Sequence, residues 1–299
     1  MNRIGSITIY DRYKKTLVSE PVFATGFLSW MYNTTPGAWT TTLLIRQKFV
    51  TQIYGWLHKR SCSRRKIKSF VEKLNVNVSE ALQPSESFRS FNDFFIREID
   101  MSRRPINQNS NVCVAPVDGR VLAFPRVDGA KTFRIKRSTF NLQRFLANTA
   151  LAGRFEGGSM VICRLYLSDY HHVHFPDSGI PKTPTSISGK YQASGPYSLM
   201  RAIPFYTENH RMVTLFDSDN FGEIAIVEIG ALTVGSICQR FQPGVHVTRG
   251  ERKGFFELGG STVVLLFQPG VIHLDEDLCS NTEKEIETYV RLGDSIGKA

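Results

Sequence analysis

The feature that most restricts the fold of this chain is a change in pattern near residue 111. Beyond it the sequence consists of short apolar runs that are separated by glycine-containing turns. Runs of this kind predict strands rather than helices. They lie at residues 112–117, 121–124, 159–167, 222–228, 231–239 and 262–267. The second part of the chain is therefore expected to be β-rich and to contain the core.

Before residue 110 the apolar residues follow a helical spacing instead. They recur at helical intervals over 67–74 and 91–95, and Ser90 or Asn92 is placed to cap the second helix. Residues 103–111 are typical of a linker, and a last short helix is expected over 282–292. Helices first and strands later predict an α+β protein. We expect a helical region at 1–110 and a β-rich catalytic domain at 111–299.

Positive charge is concentrated in the first of these regions. The formal net charge is +10; residues 1–110 hold 17 basic and 8 acidic side chains, and the remainder holds 20 and 19. All three tryptophans also lie in this region, at Trp30, Trp39 and Trp56. Six basic residues follow them within 59–68 and are called the basic cluster here: Lys59, Arg60, Arg64, Arg65, Lys66 and Lys68.

Aromatic rings beside a cluster of cations suit a membrane interface, because the rings lie at headgroup depth and the cations meet anionic lipid. The region 1–110 is therefore predicted to associate with a membrane. Two alternatives stay open: the aromatics form an ordinary helical core beside a solvated basic loop, or the charge binds nucleic acid. No nucleic-acid-binding motif is recognisable, so we expect no nucleic-acid partner.

Several other classes of protein are disfavoured by the sequence. No apolar stretch approaches the length of about 20 residues that a transmembrane helix needs. The charged residues 1–20 lack the apolar segment of a signal peptide. The five cysteines form no CxxC pair, which disfavours a structural zinc site and favours a reducing compartment.

Three of the seven histidines fall within four positions, at His171, His172 and His174, directly after a predicted strand. Histidine titrates near neutral pH, so the cluster suits general acid–base catalysis. A structural role and a metal site remain alternatives, but no HExxH motif or cysteine partner accompanies the histidines, and we expect no metal. Strand alternation places His172 and His174 on one face and His171 on the other.

Two further segments contain residues that are able to do chemistry. Asp118 lies in an Asp-Gly pair, which is first of all a hairpin signal, although an aspartate there is also able to orient a histidine. Ser261 follows Gly259 and Gly260 and opens a buried strand. Glycines before a nucleophile-capable serine permit strained backbone, whereas a glycine turn that enters a strand is the simpler interpretation.

Together these segments resemble the phosphatidylserine decarboxylases, over most of residues 85–299. The matching segments occur in the family's order: Phe91-Asn-Asp-Phe-Phe-Ile-Arg97, Arg104-Pro-Ile106, the Pro-x-Asp-Gly at 116–119, the Tyr-His-x-Val-His at 170–174, Glu208-Asn-His-Arg211, Val227-Glu-Ile-Gly-Ala231 and Gly259-Gly-Ser-Thr262. The last segment is similar to the Gly-Gly-Ser-Thr form of a bacterial branch rather than the commoner Leu-Gly-Ser-Thr.

The resemblance implies a self-processing enzyme that converts phosphatidylserine to phosphatidylethanolamine and carbon dioxide in phospholipid biosynthesis. It implies cleavage between Gly260 and Ser261, which leaves a covalent pyruvoyl group derived from Ser261 as the cofactor. This group forms a Schiff base with the substrate amine and acts as electron sink. By resemblance, His174 is the base for cleavage, Asp118 orients it, and His171 returns a proton after decarboxylation. Pyridoxal phosphate is disfavoured, because no lysine stands near the histidines in the sequence.

The same resemblance implies the partners and the location of the protein. The cleaved chains, 1–260 and 261–299, are expected to stay together as a heterodimer, and the substrate is phosphatidylserine in a membrane. The expected location is peripheral, on the cytoplasmic side of the cell membrane. Two alternatives remain from the sequence: a non-enzymatic, membrane-attached β-domain, and a pyruvoyl decarboxylase of a soluble amino acid.

Overall fold

The structure is a computed structural model, and it describes residues 5–22, 25–41, 48–127, 133–135, 138–195, 204–231, 236–258 and 261–299. The helices of these residues are α1 (Thr25–Asn33), α2 (Thr35–Thr40), α3 (Lys48–Lys59), α4 (Lys66–Leu74), α5 (Phe91–Phe95), α6 (Leu142–Leu146), α7 (Thr149–Phe155), α8 (Phe205–Glu208) and α9 (Glu276–Glu283). The strands are β1 (Ser6–Asp11), β2 (Thr16–Pro21), β3 (Val112–Val114), β4 (Gly119–Phe124), β5 (Phe133–Ile135), β6 (Ser138–Phe140), β7 (Met160–Leu165), β8 (His172–His174), β9 (Gly179–Pro181), β10 (Thr185–Ile187), β11 (Arg211–Ser218), β12 (Gly222–Ile229), β13 (Ile237–Gln239), β14 (Arg252–Phe256), β15 (Ser261–Phe267), β16 (His273–Leu274), β17 (Glu287–Val290) and β18 (Ser295–Lys298). The predicted α+β class is confirmed.

Ten strands form one large sheet, in the order β10-β11-β12-β15-β7-β4-β17-β1-β2, with β9 paired to β11. Two three-stranded sheets, β13-β14-β8 and β16-β18-β3, pack beside it. Strand β15 is central, since it pairs with β12 on one side and β7 on the other. All seven of its residues are buried. A strand that is covered on both faces has a continuous apolar sequence rather than an alternating one.

The core lies on both faces of this sheet. One face packs Val161, Val263 and Phe256 into a cluster that extends to the two small sheets. The other face packs Ile162, Val264 and residues of α6 and α7. Successive residues of β15 therefore point alternately into two separate apolar clusters. This burial, at about 25 cal/mol per Å² of apolar surface, is the main force that holds β15 in place.

The first twenty or so residues differ from the helical prediction for 1–110. Strands β1 and β2 form an antiparallel hairpin, and β1 pairs in parallel with β17 near the other end of the chain. Glu20 of this hairpin bonds Arg164 at 3.0 Å and also pairs with Arg120. The alternation of Ile7 and Ile9 with polar neighbours is a strand pattern. The helices before residue 110 begin only at Thr25.

The predictions of single elements have mixed outcomes. Helices α4 and α5 lie where the spacing placed them, and Ser90 caps α5 by accepting a bond from the backbone of Asp93 at 3.1 Å. The predicted helix over 282–292 is wrong: α9 ends at Glu283, and β17 occupies 287–290. Glu285, at a φ of 58°, separates the two elements. The apolar residues after Glu285 belong to strand β17 of the sheet and not to a helix.

No helix of the described residues has both the length and the apolar character needed to cross a membrane.

Candidate active site

The site forms where two neighbouring strands of the large sheet meet a short loop. Ser261 is the first residue of β15 and lies opposite Leu165, the last residue of β7. After β7 the chain turns through 166–171 and enters β8. This turn is fixed by Asp169, whose carboxylate accepts the backbone N–H of Tyr166 at 2.7 Å. The turn returns His171 to the edge of the sheet at which β15 begins.

Ser261 and His171 are hydrogen-bonded, and both are fully buried. The Ser261 Oγ lies 3.3 Å from Nδ1 of His171, and Nε2 of the same ring lies 3.2 Å from the carbonyl oxygen of Tyr166. A carbonyl only accepts, so Nε2 donates its proton to Tyr166, and Nδ1 is the acceptor for the serine hydroxyl. The contact therefore sets one tautomer, in which a serine hydroxyl faces an unprotonated nitrogen.

The surroundings of His171 keep its ring neutral. Phe95 of α5 stacks on it, with ring centroids 4.0 Å apart. Burial, together with the nearby Arg97 guanidinium, lowers the pKa of His171 to about 3. Desolvation disfavours the charged form of an imidazole, and a cation adds to this effect. At neutral pH the ring is thus an acceptor, but a weak base.

The other two histidines of the cluster lie on the opposite face of β8, as strand alternation predicts. His174 has Nδ1 2.7 Å from the Gly250 carbonyl and Nε2 3.3 Å from the Tyr170 hydroxyl. His172 stacks on Tyr170 at 4.6 Å, and its Nε2 lies 2.9 Å from the Ile96 carbonyl, at the end of α5. His172 therefore ties α5, which carries Phe95, to the strand of histidines. Burial lowers the pKa of both rings, to about 4 for His172.

Asp118 lies between β3 and β4 and does not form a hairpin, because β3 joins β18 whereas β4 joins the large sheet. Its carboxylate is buried and accepts bonds from Nε of Arg104 at 2.9 Å and from Nη2 at 2.7 Å. The backbone N–H of Leu292 donates a further bond at 2.8 Å. Such a bidentate pair is geometrically specific. The structure therefore pairs Asp118 with an arginine.

The residues singled out from the sequence are thus only partly brought together. Ser261 and His171 are in contact, whereas His174 is bonded to Tyr170 and Gly250 and, within the described chain, to neither Ser261 nor Asp118. The predicted cleavage partner, Gly260, lies outside the described residues. Sequence reasoning missed Phe95, although it belongs to the segment at 91–97 that carried the resemblance. The sequence analysis assigned the segment 91–97 no role in the site.

In the fold, one lysine lies on the strand next to that of the histidines, although none is near them in the sequence. Lys253 is on β14, the strand that pairs with β8. Its ammonium is fully buried and donates to Glu228 and to Gln239, each at 2.7 Å. Burial lowers the pKa of Lys253, while the adjacent Glu228 raises it. The amine is therefore engaged in an ion pair, and the case for a lysine-bound cofactor gains nothing from this residue.

A metal site finds no support in the described part of the chain. No group of three or more histidine, cysteine, aspartate or glutamate side chains there is arranged to hold an ion. The described cysteines are all unpaired thiols. The chemistry available at the site is that of a serine hydroxyl and imidazole rings.

Comparison with known proteins adds an independent line of support. The family described as phosphatidylserine decarboxylase matches residues 91–298. The chain is 39% identical over 289 residues to the phosphatidylserine decarboxylase proenzyme of Chlamydia felis, with 97% of each chain covered. It is 41% identical to the proenzyme of Chlamydia trachomatis serovar L2, with 93% of each covered. It is 37% identical to that of Clostridium perfringens, with 97% of this chain and 99% of the relative covered.

Proposed function

The chain belongs to the phosphatidylserine decarboxylase family, and on this premise we propose that it converts phosphatidylserine to phosphatidylethanolamine and carbon dioxide. One observation carries the proposal to particular residues: the hydrogen bond between Ser261 and His171 in a fully buried site. It places a nucleophile-capable oxygen at the start of a central strand, beside a proton-carrying ring.

We propose that the chain matures by cutting itself before Ser261. The relatives are named proenzymes, which supports such a cut. The Ser261 hydroxyl attacks the carbonyl of Gly260 and passes its proton to a histidine; the peptide C–N bond then breaks, its nitrogen takes up a proton, and an ester forms. β-Elimination frees the carboxylate of Gly260 and leaves dehydroalanine at position 261. Hydrolysis of the imine tautomer of this residue by one water molecule releases ammonia and leaves the pyruvoyl group.

The chemistry of the site fits this group. Position 261 is fully buried, and within the described chain the side-chain partner of its oxygen is the ring of His171. A dry site protects a reactive carbonyl from water. Once formed, the pyruvoyl group supplies an electron sink for the loss of the substrate carboxylate.

The histidines divide the proton transfers in this proposal. His171 is in contact with the reacting oxygen, but an imidazole whose pKa is about 3 is a poor base near neutral pH. It therefore orients the hydroxyl before the cut, and the resemblance gives it the return of a proton after decarboxylation. The resemblance gives the base role in the cut to His174, with Asp118. In the structure Asp118 is bonded to Arg104 and to the Leu292 backbone, so its orienting role toward His174 rests on the resemblance.

The two chains are proposed to stay together as a heterodimer after the cut. Residues 261–299 contribute β15 between β12 and β7, β17 between β4 and β1, and β18 beside β3. Every residue of β15 would be exposed to water if this segment left. The hydrophobic cost of that exposure opposes dissociation.

We further propose that the enzyme docks on the membrane surface through α1–α3 and the basic cluster. Trp30, Trp39 and Trp56 are all exposed, whereas an ordinary helical core would bury them. The six residues of the basic cluster are exposed as well. The Arg60 guanidinium lies 4.1 Å from the ring of Trp56, so the aromatic and cationic surfaces are continuous. The proposed location is peripheral, on the cytoplasmic face of the cell membrane, where anionic lipid is available to the basic cluster.

The decisive test compares the wild-type chain with Ser261→Ala. Denaturing mass spectrometry should find two chains of 260 and 39 residues for the wild type, with position 261 modified, and one intact chain for the variant. The wild type should release carbon dioxide from phosphatidylserine, and the variant should not. Ser280→Ala is a matched control, since Ser280 lies on α9 away from the site. A variant at 261 that still splits at the same bond would refute the mechanism.

The same assay separates the alternatives that the sequence left open. A non-enzymatic domain predicts an intact wild-type chain without carbon dioxide release. A decarboxylase of a soluble amino acid predicts release from a free amino acid without phospholipid. The exposed tryptophans and the basic cluster favour the phospholipid, because a soluble substrate requires no interfacial docking.

A further inference from the structure

Tyr166, the first residue of the turn that carries His171, is fixed by four separate contacts. Its backbone N–H donates to the carboxylate of Asp169 at 2.7 Å, and its carbonyl oxygen lies 3.2 Å from Nε2 of His171. Its hydroxyl donates to the carbonyl of Pro21 at 2.9 Å. The guanidinium carbon of Arg120 lies 5.0 Å from the centre of its ring. The residue that holds the ring of His171 is therefore itself held by residues from distant parts of the chain.

Two of these contacts lead to the N-terminal hairpin of β1 and β2. Pro21 is the last residue of β2, and Glu20 before it pairs with Arg120. Arg120 pairs in turn with Asp169. The side chains of Glu20, Arg120 and Asp169 are all buried, and hydrogen bonds between charged groups are the strong and directional ones. A line of buried charges thus connects the hairpin with the turn of His171.

A second arginine binds the same glutamate but does not reach the turn. Arg164 lies opposite Arg120 in the pairing of β4 with β7, and it is buried as well. It bonds Glu20 at 3.0 Å, and its other carboxylate partner is Glu287, at 2.8 Å. The two arginines therefore share burial, strand position and one partner. They differ in that Arg120 bonds Asp169 of the turn.

The position of the His171 ring matters because one of its nitrogens faces the reacting residue. Nδ1 lies 3.3 Å from Oγ of Ser261, while Nε2 is held at the Tyr166 carbonyl. A shift of Tyr166 therefore moves the ring relative to position 261. A misplacement of about 1 Å in an active site is able to lower a rate by about 10²-fold. The contacts that fix the turn thus bear directly on the rate of the reaction.

We infer that Arg120 is a positioning residue for His171, acting through Asp169 and the turn. The N-terminal hairpin completes this arrangement, because Glu20 holds Arg120. Within the described residues, neither Arg120 nor the Asp169 carboxylate is hydrogen-bonded to Ser261 or to the His171 ring. Their effect on the site therefore passes through Tyr166. The inference rests on the proposed function and adds to it a requirement for the first twenty or so residues.

The first test compares Arg120→Met with the matched control Arg164→Met. Carbon dioxide release is measured with phosphatidylserine in detergent micelles. Both variants remove a buried cation and should lose stability. Both should still be cut, as is expected for His171→Ala. In Arg120→Met we expect kcat to fall by about 10- to 100-fold with KM little changed, because the reacting geometry is altered rather than substrate binding. An equal fall of kcat in Arg164→Met would overturn the inference.

A double-mutant cycle with His171→Ala separates positioning from a general loss of structure. In the His171→Ala background, Arg120→Met should change kcat by less than about twofold, because the ring that it positions is absent. A merely structural role predicts that Arg120→Met lowers kcat by the same factor in both backgrounds. That result would overturn the inference.

The second measurement does not depend on activity. In the uncut Ser261→Ala protein, ¹⁵N NMR reports the proton on Nε2 of His171. It should exchange slowly with water, since the ring is buried and the Tyr166 carbonyl accepts this proton. Arg120→Met should speed the exchange by at least about tenfold through local opening of the turn, and Arg164→Met should not. Equal exchange rates in Arg120→Met and its parent would contradict the positioning role.

The design keeps this inference separate from the proposed function. A wild-type chain that stays intact and releases no carbon dioxide refutes the proposed function, while the exchange measurement still decides the role of Arg120. If Arg120→Met fails to fold, Tyr166→Phe removes only the half-exposed bond to Pro21 and leaves the buried charges in place. Its kcat should fall by about 2- to 10-fold, and only where His171 is present. An unchanged kcat in Tyr166→Phe would then overturn the link to the hairpin.

Discussion

The buried ion pair between Lys253 and Glu228 provides a quantitative test of the core beside the site. Both side chains are completely buried, and Nζ lies 2.7 Å from Oε2 of Glu228. Gln239 closes the triangle by accepting from Lys253 at 2.7 Å and donating to Glu228 at 2.6 Å. At an effective dielectric constant of about 20, unit charges at this distance attract each other by roughly 6 kcal/mol. Most of this attraction offsets the cost of burying the two charges.

Removal of one partner therefore leaves an uncompensated buried charge. We expect Lys253→Met and Glu228→Gln each to lower the free energy of unfolding by about 3–5 kcal/mol. The double variant should recover most of the loss, since neither charge remains. For a chain of this size each kcal/mol corresponds to about 2 °C in Tm, so each single variant should melt about 6–10 °C lower.

The assay is thermal and urea unfolding in the uncut Ser261→Ala background, where the protein remains one chain. Lys298→Met is a matched control, because it removes an exposed lysine from β18. Single variants within about 0.5 kcal/mol of the parent would refute the reasoning. A double variant as unstable as the sum of its parts would refute it too, because the losses would then not arise from one shared interaction.

Three further predictions concern the histidines and the membrane. His171→Ala should still be cut but should release carbon dioxide about 10²- to 10⁴-fold more slowly. His174→Ala and Asp118→Asn should stay intact on denaturing mass spectrometry. An uncut or fully active His171→Ala would contradict this division of roles between His171 and His174. The free energy of unfolding of the uncut protein should fall as the pH falls from about 6.5 towards 3. The pKa values of His171 and His172 are depressed in the folded protein, so the unfolded chain binds more protons in this range. In urea titrations, His172→Gln should reduce the dependence of the unfolding free energy on pH, and an unchanged dependence would contradict this prediction. Neutralising Arg60, Arg64, Arg65 and Lys66 should weaken co-sedimentation with anionic vesicles at low salt, at about 1 kcal/mol per charge; undiminished binding would mean that the docking surface lies elsewhere.

The sequence was most informative about the strands that are buried on both sides. The run at 262–267 has no polar interruption, and the structure extends β15 by one residue to Ser261. Its partners are distant in the chain, but the apolar pattern alone was sufficient to identify a buried strand. The apolar pattern could not predict the contact between Ser261 and His171, because this contact depends on the turn after β7 and on α5.

The hairpin at 6–21 shows where local reasoning failed. Its strand pattern is present at Ile7 and Ile9, but we predicted a helical region over 1–110 and used the charges of residues 1–20 only as evidence against a signal peptide. Those charges are satisfied by residues far along the chain: Glu20 binds Arg164, which also binds Glu287 at 2.8 Å. A sequence shows the charges but not their partners. The same limit applies to Arg120, whose bonds to Glu20 and Asp169 become visible only in three dimensions.

The parallel pairing of β1 with β17 has a consequence for the lifetime of the enzyme. Strand β17 belongs to the segment 261–299, so the first strand of the chain pairs with the smaller of the two chains that the proposed cut would produce. If the chain is cut as proposed, a molecule that unfolds after the cut becomes two separate polymers, and their reassociation is bimolecular and depends on concentration. The durability of the cut form would then be governed by the rate of unfolding rather than by an equilibrium.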